Sequence, residues 1–400
     1  MKLADNTIVV DEAVADGSLS GAVIVTWQNG EIIQFETIGR RDIEADLPMT
    51  RDTIFRLSSM GKAVTIVATL MLAEAGQFSL DSPISEWAPE FSDVAVLTNP
   101  DAGLHSTVPL ARAITIRDLL THRSGYAYYF NSSGLLKKAY SELVFDGPDE
   151  FLASIAELPL LHQPGETMTY GHSIDILGLV IARAAGQPLS ELLRERVCAP
   201  LHMVDTSFSV PPENQHRVAK LYRPRPGKLQ ANRQPVPITP PKLCLAGEGL
   251  FSTASDFLQF VRMLMGHGEV DGVRLLSPES VQIMRTNTLS DAEQQVPFMG
   301  MPLWIGRGFG MGLFVVTDTS MHRLFAWPAG PDTIGWVGGY GTCWQADPDR
   351  NLILIYLAQD ERAIGTISES GNITAEWWED LMAVPFGWVM RSYAAITQGD

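Results

Sequence analysis

The sequence predicts an α+β protein in which both chain ends build one antiparallel sheet and a mainly helical segment is inserted between them. Three observations carry this expectation: a hairpin signal near the N-terminus, a second near the C-terminus, and a run of helix-spaced segments in the middle. At 400 residues the chain exceeds the usual single core, so two lobes are expected. The sheet-bearing part reads as 1–52 with 245–400, and the helical part as 53–244.

In chain order, a short N-terminal helix precedes "GAVIVTWQNGEIIQFETIGR", two β-rich runs around Asn29-Gly30, a pair suited to the positive φ of a type I′ turn. Then "SSMGKAVTIVATLMLAEAG", "TIRDLLTHRSG", "DEFLASIAEL" and "SIDILGLVIARAAG" have helical length and spacing and commonly stop at glycine. A Pro-rich stretch at about 210–242 reads as a loop or lid. In "GEGLFSTASDFLQFVRMLM", Thr253 or Ser255 is placed to cap a helix. The glycine-dense "IGRGFGMGLFVV" lacks G-x-G-x-x-G and reads as a strand with close backbone packing. The second hairpin, "GYGTCWQADPDRNLILIYLA", turns at Pro348-Asp349, and a C-terminal helix follows. On that helix Glu376, Glu379 and Asp380 beside Trp377 and Trp378 read as a solvated face rather than paired acid-base groups.

Hydrophobic residues make up 46% of the chain and charged ones 19%, the profile of a soluble globular protein. The net charge of -17 comes without a long acidic block, so it implies a solvated acidic surface and argues against nucleic acid as a partner. Cys198, Cys244 and Cys343 are far apart and odd in number, which suits a reducing compartment. No export signal or membrane-length apolar run is visible, so a cytoplasmic location without a membrane partner is expected. No HExxH pair or metal-ligand cysteine spacing occurs, and no metal or cofactor is expected.

Chemistry is suggested in three places. Residues three apart share a helix face, so Ser59 and Lys62 in "SSMGK" can bring a hydroxyl and an amine within hydrogen-bonding reach near a helix N-terminus. Lysine is a poor base at neutral pH unless burial favours the free amine, and the apolar "AVTIVATLMLAEAG" should bury it. The bland alternative is a serine cap with a solvated lysine. Tyr170, in "GETMTYGHSIDILGLV", stands at what reads as an exposed loop-to-helix junction where a phenol would relay a proton; a packing tyrosine is the alternative. In "GWVGGYGT", Gly338 and Gly339 would let a substrate lie against an edge strand whose free N–H groups face a carbonyl oxygen; a bulge explains the glycines equally well. His122, in "LLTHRSGY", reads as a buried structural histidine.

Together and in this order, these pieces resemble the serine β-lactamase and penicillin-binding superfamily, whose site combines Ser-x-x-Lys, a Tyr- or Ser-based element and a Gly-containing strand. The branch they look most like is the family VIII carboxylesterases, related to class C β-lactamases. The resemblance spans most of the chain, through "FRLSSMGKAVT", "GQFSLDSPISEWAPEF", "ITIRDLLTHRSGY", "QPGETMTYGHSIDILG", "GEGLFSTASDF" and "GWVGGYGTCWQADP".

It implies a β-lactamase-like fold with the active site between sheet and helical domain. Ser59 would be the acylated nucleophile, Lys62 its activating partner and Tyr170 the proton relay, with the Ser59 and Gly339 N–H groups as the oxyanion hole. Trp336-Val337-Gly338 takes the place of the Lys-Thr-Gly element, so Trp336 and Gly338 would contact substrate and the usual cation for a substrate carboxylate is missing. His172 stands where an Asn amide would meet a substrate amide. Both departures favour a serine carboxylesterase acting on small to medium neutral esters over the alternatives, a β-lactamase, a D-amino-acid amidase or peptidase, or a non-catalytic scaffold.

Overall fold

Asn29 and Gly30 reverse the chain with φ values of 52° and 95°, the left-handed pair that a tight hairpin requires. They join β1 (Gly21–Gln28) to β2 (Glu31–Asp42), which pairs onward with the short β3 (Leu47–Pro48). The computed structural model describes residues 3–101, 103–225, 227–232, 234–320, 328–362 and 375–397.

The other strands come from the far end of the chain: β4 (Arg307–Phe309), β5 (Phe314–Val316), β6 (Ile334–Gly338), β7 (Thr342–Asp347) and β8 (Leu352–Ala358). They form one antiparallel eight-stranded sheet in the order β4-β5-β6-β7-β8-β1-β2-β3, with Ala22 opposite Ala358 where the two ends meet. Every residue of β7 and β8 is buried, as in central strands covered on both faces. The glycine-dense segment expected as one strand is two, β4 and β5. Gly312, at φ 68°, adopts a conformation that a continuous strand cannot contain.

The helices are α1 (Ile8–Ala15), α2 (Lys62–Glu74), α3 (Ile116–Leu120), α4 (Gly134–Ser141), α5 (Pro148–Ala156), α6 (Ser173–Ala185), α7 (Leu189–Leu193), α8 (Ala254–Met265), α9 (Pro278–Met284), α10 (Asp291–Gln294) and α11 (Ala375–Thr397). α2 buries every residue from Lys62 to Leu70, as an apolar helix without a polar face must. α6 stops at Gly186, at φ 67°, the left-handed residue that ends many helices. Thr253, not Ser255, caps α8, its Oγ1 accepting the Asp256 N–H at 3.2 Å. Among the described residues no single helix is long and apolar enough to cross a membrane.

The Pro-rich stretch is more ordered than the expected loop. It holds a 3-10 turn, Pro212–Arg217, and a ladder pairing Tyr222–Arg225 with Lys228–Ala231. Backbone bonds dock it beside the sheet, from Tyr222 N–H to the Gln359 carbonyl (3.0 Å) and from Lys220 N–H to the Arg41 carbonyl (2.8 Å). The residue alternation in this ladder has the strand period of two, and Pro224 is tolerated in so peripheral a pairing.

The two chain ends are also joined by a buried polar knot. Asn6 Nδ2 donates to Gln34 Oε1 and to Ser392 Oγ, both at 2.8 Å, while Gln34 Nε2 donates back to Asn6 Oδ1 at 2.8 Å. This ties the N-terminal segment, β2 and α11 together. The side chains of Glu376, Trp377, Trp378, Glu379 and Asp380 lie outside the described residues. Replacing Asn6 by Ala removes two of the Gln34 hydrogen bonds, leaving its Nε2 only a 3.5 Å contact with the Leu3 carbonyl, and should cost about 1–3 kcal/mol of stability. Urea unfolding of wild type and Asn6→Ala checks this, and equal midpoints would contradict it.

Candidate active site

The cavity forms where α2 starts, where α6 starts and where β6 ends, and each placement has a local cause. The chain leaves a short ladder, Phe55–Arg56 paired with Phe251–Ser252, and bends at Ser58 into a 3-10 turn, Ser58–Gly61, that feeds α2. Ser58 makes this bend at φ 51°, a sparsely populated conformation for a non-glycine residue. Ser59 follows, half-buried on the cavity wall.

Lys62, 0% exposed, lies one turn on, and its Nζ donates to Ser59 Oγ at 2.8 Å and to the Gly247 carbonyl at 2.7 Å. The faces of Tyr170 and Tyr128 lie 5.1 and 5.4 Å from the same nitrogen, within cation–π range. Tyr170 is only 6% exposed, so the expected open junction is a packed one. The rings of His122, Tyr128, Phe298 and Trp336 surround it, with centroids 4.5, 5.8, 5.4 and 5.7 Å away. Trp336 Nε1 donates to the Tyr170 hydroxyl at 3.2 Å.

β6 is an interior strand rather than the expected edge, yet its second half is open on one side. β5, three residues long, pairs with Ile334 and Gly335 of β6, and among the described residues Trp336 to Gly338 have no strand partner on that side. A Cβ on Gly338 would stand 2.3 Å from the Leu57 carbonyl and 2.2 Å from Thr342 Oγ1, so glycine permits the close approach of β6 to the Ser59 segment. Gly339 N–H donates to Ser58 Oγ at 3.3 Å, a long contact that an incoming carbonyl oxygen could replace.

Behind Lys62 stands a carboxylate that local sequence reading missed. Asp175, 1% exposed in the first turn of α6, accepts the Gly247 N–H at 2.7 Å on Oδ1. Its Oδ2 faces His172 Nδ1 at 3.0 Å and accepts the Tyr128 hydroxyl at 3.4 Å. Burial acts to raise the Asp175 carboxyl, but the His172 hydrogen bond and charge, the Lys62 charge and the Gly247 N–H outweigh it and hold it below its ordinary value. An ionised carboxylate only accepts, so His172 Nδ1 is the donor of this bond. His172 is therefore held in the cavity wall by Asp175, with Tyr128 against it at a centroid distance of 4.5 Å.

Burial first, then the Asp175, Tyr170 and Glu248 charges, push the Tyr128 phenol well above its usual range, so it stays a donor. His122 is fully buried, and burial followed by the Lys62 charge holds it well below the imidazole range, as a neutral ring that accepts the Gly171 N–H at 3.3 Å. The cavity is about 270 Å³, opens to solvent and is lined largely by aromatic side chains, Tyr128, Tyr129, Phe130, Tyr140, Phe298 and Trp336 among them, with Ser58, Ser59, His172, Gly338, Gly339, Asp175 and Glu248 as polar points. Asp175 had one faint signal, its position three residues after His172 on a predicted helix. Gly247 and Glu248 had none, because the contact with Lys62 spans 185 residues.

Comparison with known proteins is consistent over nearly the whole chain. The Beta-lactamase family model matches residues 8–366. A Mycobacterium tuberculosis protein is 49% identical over 362 residues, covering 90% of each chain. Esterase EstB of Burkholderia gladioli is 30% identical over 378 residues, 87% of this chain and 88% of its own. The solved structure of EstCE1, described as a hydrolase with promiscuous acyltransferase activity, superposes with a TM-score of 0.76 at 25% identity, covering 96% of this chain and 98% of that one.

The loop that carries Tyr170 is anchored by one acid. Glu293 Oε1 accepts the Met168 N–H at 3.0 Å, and Oε2 accepts from Arg123 at 2.7 Å and from Ser290 N–H at 2.8 Å. Burial acts to raise the Glu293 carboxyl, but the Arg123 hydrogen bond, the Ser290 groups and the Arg123 charge together bring it down to about 2. A folded value below the unfolded one means that this stabilisation is fully present above about pH 4.5 and is lost as pH falls through about 2. The stability difference between wild type and Glu293→Gln should therefore be full near about pH 6 and shrink toward about pH 2. Thermal unfolding across that range checks it, and a pH-independent difference would contradict it.

Proposed function

We propose, since this chain belongs to the Beta-lactamase family and is a serine hydrolase of that superfamily, that it hydrolyses small to medium neutral carboxylic esters through an acyl-enzyme on Ser59. The observation that carries this reading is the buried Lys62 amine, 2.8 Å from Ser59 Oγ and held from behind by the Gly247 carbonyl at 2.7 Å.

Ser59 Oγ attacks the ester carbonyl carbon while its proton passes to the Lys62 and Tyr170 pair. The carbonyl oxygen becomes an oxyanion held by the Ser59 and Gly339 N–H groups, the latter released from Ser58 Oγ. Donors of this kind stabilise such a transition state by roughly 3 kcal/mol each. Collapse breaks the bond to the alcohol oxygen, which takes a proton through Tyr170. Water then adds to the acyl carbon, gives a proton to the same pair, and the carboxylic acid leaves as Ser59 regains its hydrogen.

Neutral substrates are favoured over anionic ones because Trp336 stands where a lysine would attract a carboxylate, and its indole N–H is directed to Tyr170. No Lys or Arg side chain lines the cavity among the described residues. Esterase EstB, by its name, acts on esters, which supports the same class. Transfer of the acyl group to an alcohol is a second reading, supported by the aromatic wall and by the acyltransferase activity in the description of EstCE1.

Intact-mass measurement after exposure to a fluorophosphonate should show one adduct on wild type and none on Ser59→Ala. In a substrate panel, p-nitrophenyl butyrate should turn over faster than a cephalosporin or a D-aminoacyl amide; the reverse order would favour the β-lactamase or amidase reading, and no adduct and no turnover a scaffold. A methyl group at 247 would meet Asp175 Oδ1 at 2.6 Å and the Tyr128 hydroxyl at 2.7 Å, which displaces the carbonyl from Lys62. Gly247→Ala should lower kcat by about 10- to 100-fold, less than the roughly 100- to 10,000-fold that a positioned proton-transfer group itself supplies because Lys62 stays in place, and wild-type kcat in that variant would count against the role given to the carbonyl.

A further inference from the structure

The cavity wall carries two carboxylates with different fates. Asp175 spends both oxygens inside the wall, on Gly247 N–H, His172 and Tyr128. Glu248 lines the same cavity but is exposed at its mouth, and its carboxylate has no hydrogen-bond or ion-pair partner among the described residues. It is also close to the chemistry. The Gly247 carbonyl, part of the peptide that leads into Glu248, accepts the Lys62 amine at 2.7 Å, and that amine reaches Ser59 Oγ at 2.8 Å.

An exposed carboxylate on a wall rich in aromatic residues and lined by no Lys or Arg among the described residues suits a cation better than an anion. Tyr128 and Tyr129 line the cavity beside it, close enough for its charge to act on both phenols. Aromatic faces with an adjacent carboxylate are the chemistry that holds an ammonium group. Burial, then repulsion from Asp175, push the Glu248 carboxyl up against the opposing pull of Lys62 and His172. A bound cation would relieve that repulsion. The net charge of -17 draws cations toward the whole surface in the same sense.

We propose that Glu248, on the cavity wall it shares with Tyr128 and Tyr129, is a specificity-determining residue that selects esters whose alcohol portion carries an ammonium group, held beside Glu248 while the ester carbonyl lies at Ser59. The alcohol side is assigned because the leaving group must depart toward solvent and Glu248 is the exposed wall carboxylate. The inference rests on the esterase reading and adds a charge preference remote from the reacting bond.

Butyrylthiocholine and its uncharged carbon isostere, S-(3,3-dimethylbutyl) thiobutyrate, test it, since both release a thiol read by one assay. Wild type should show a kcat/KM about tenfold higher for the cation at low salt, the size of an accessible ion pair with an aromatic neighbour. The ratio should fall toward one as salt rises, and toward one in Glu248→Gln. Because the ratio is taken within a single preparation, a partly folded variant does not alter it. A wild-type ratio of one or less, or a ratio that Glu248→Gln leaves in place, overturns the proposal while ester turnover stands. Turnover of neither thioester overturns the esterase reading itself and this inference with it.

Discussion

An amine with no exposure to water is the constraint around which this structure is arranged. Removing a lysine head group from water is costly unless its donors are satisfied, and here they reach Ser59 Oγ and the Gly247 carbonyl, with two tyrosine faces nearby. Each requirement propagates outward. The carbonyl must hold still, so Asp175 clamps the same residue by its N–H, and the clamp is tight enough that only glycine fits at 247. Asp175 in turn fixes His172, which forms part of the cavity wall. A single buried nitrogen thus determines the ends of three chain segments far apart in sequence.

The same arrangement explains how the site departs from its family's pattern without losing coherence. A lysine in the third motif would place a cation beside the tyrosine; Trp336 places a neutral donor there and packs its ring on Tyr170. The hydroxyl keeps a hydrogen-bond partner while the cavity loses a carboxylate anchor. What remains is an aromatic enclosure with anionic rather than cationic polar points, which suits a different range of substrates. The short β5 contributes as well, since among the described residues the last residues of β6 have no strand partner beyond it.

Much of this was legible locally. Asn29-Gly30 required a hairpin, Thr253 capped its helix, and a three-residue spacing put the Ser59 hydroxyl and the Lys62 amine within reach of each other. These features depend on a few consecutive residues. The readings that needed change depend on partners distant in sequence. The packing of Tyr170 cannot be read locally because the rings that cover it come from three other segments, and β6 reads as an edge because its pairing with β5 cannot be seen from either strand alone. The Pro-rich stretch folds against the sheet through backbone bonds that carry no side-chain signature. Gly247 and Asp175 escaped for the same reason, since a carboxylate that acts through a peptide group leaves no motif.

The most direct test of the role given to Lys62 is rapid-quench peptide mapping during turnover of p-nitrophenyl butyrate, on wild type and on Lys62→Met. The account predicts a butyryl group on the peptide containing Ser59, formed about 100- to 10,000-fold more slowly in the variant, the usual range for losing a positioned acid-base group. Acylation of a different residue, or acylation of Ser59 at the wild-type rate in Lys62→Met, would contradict it.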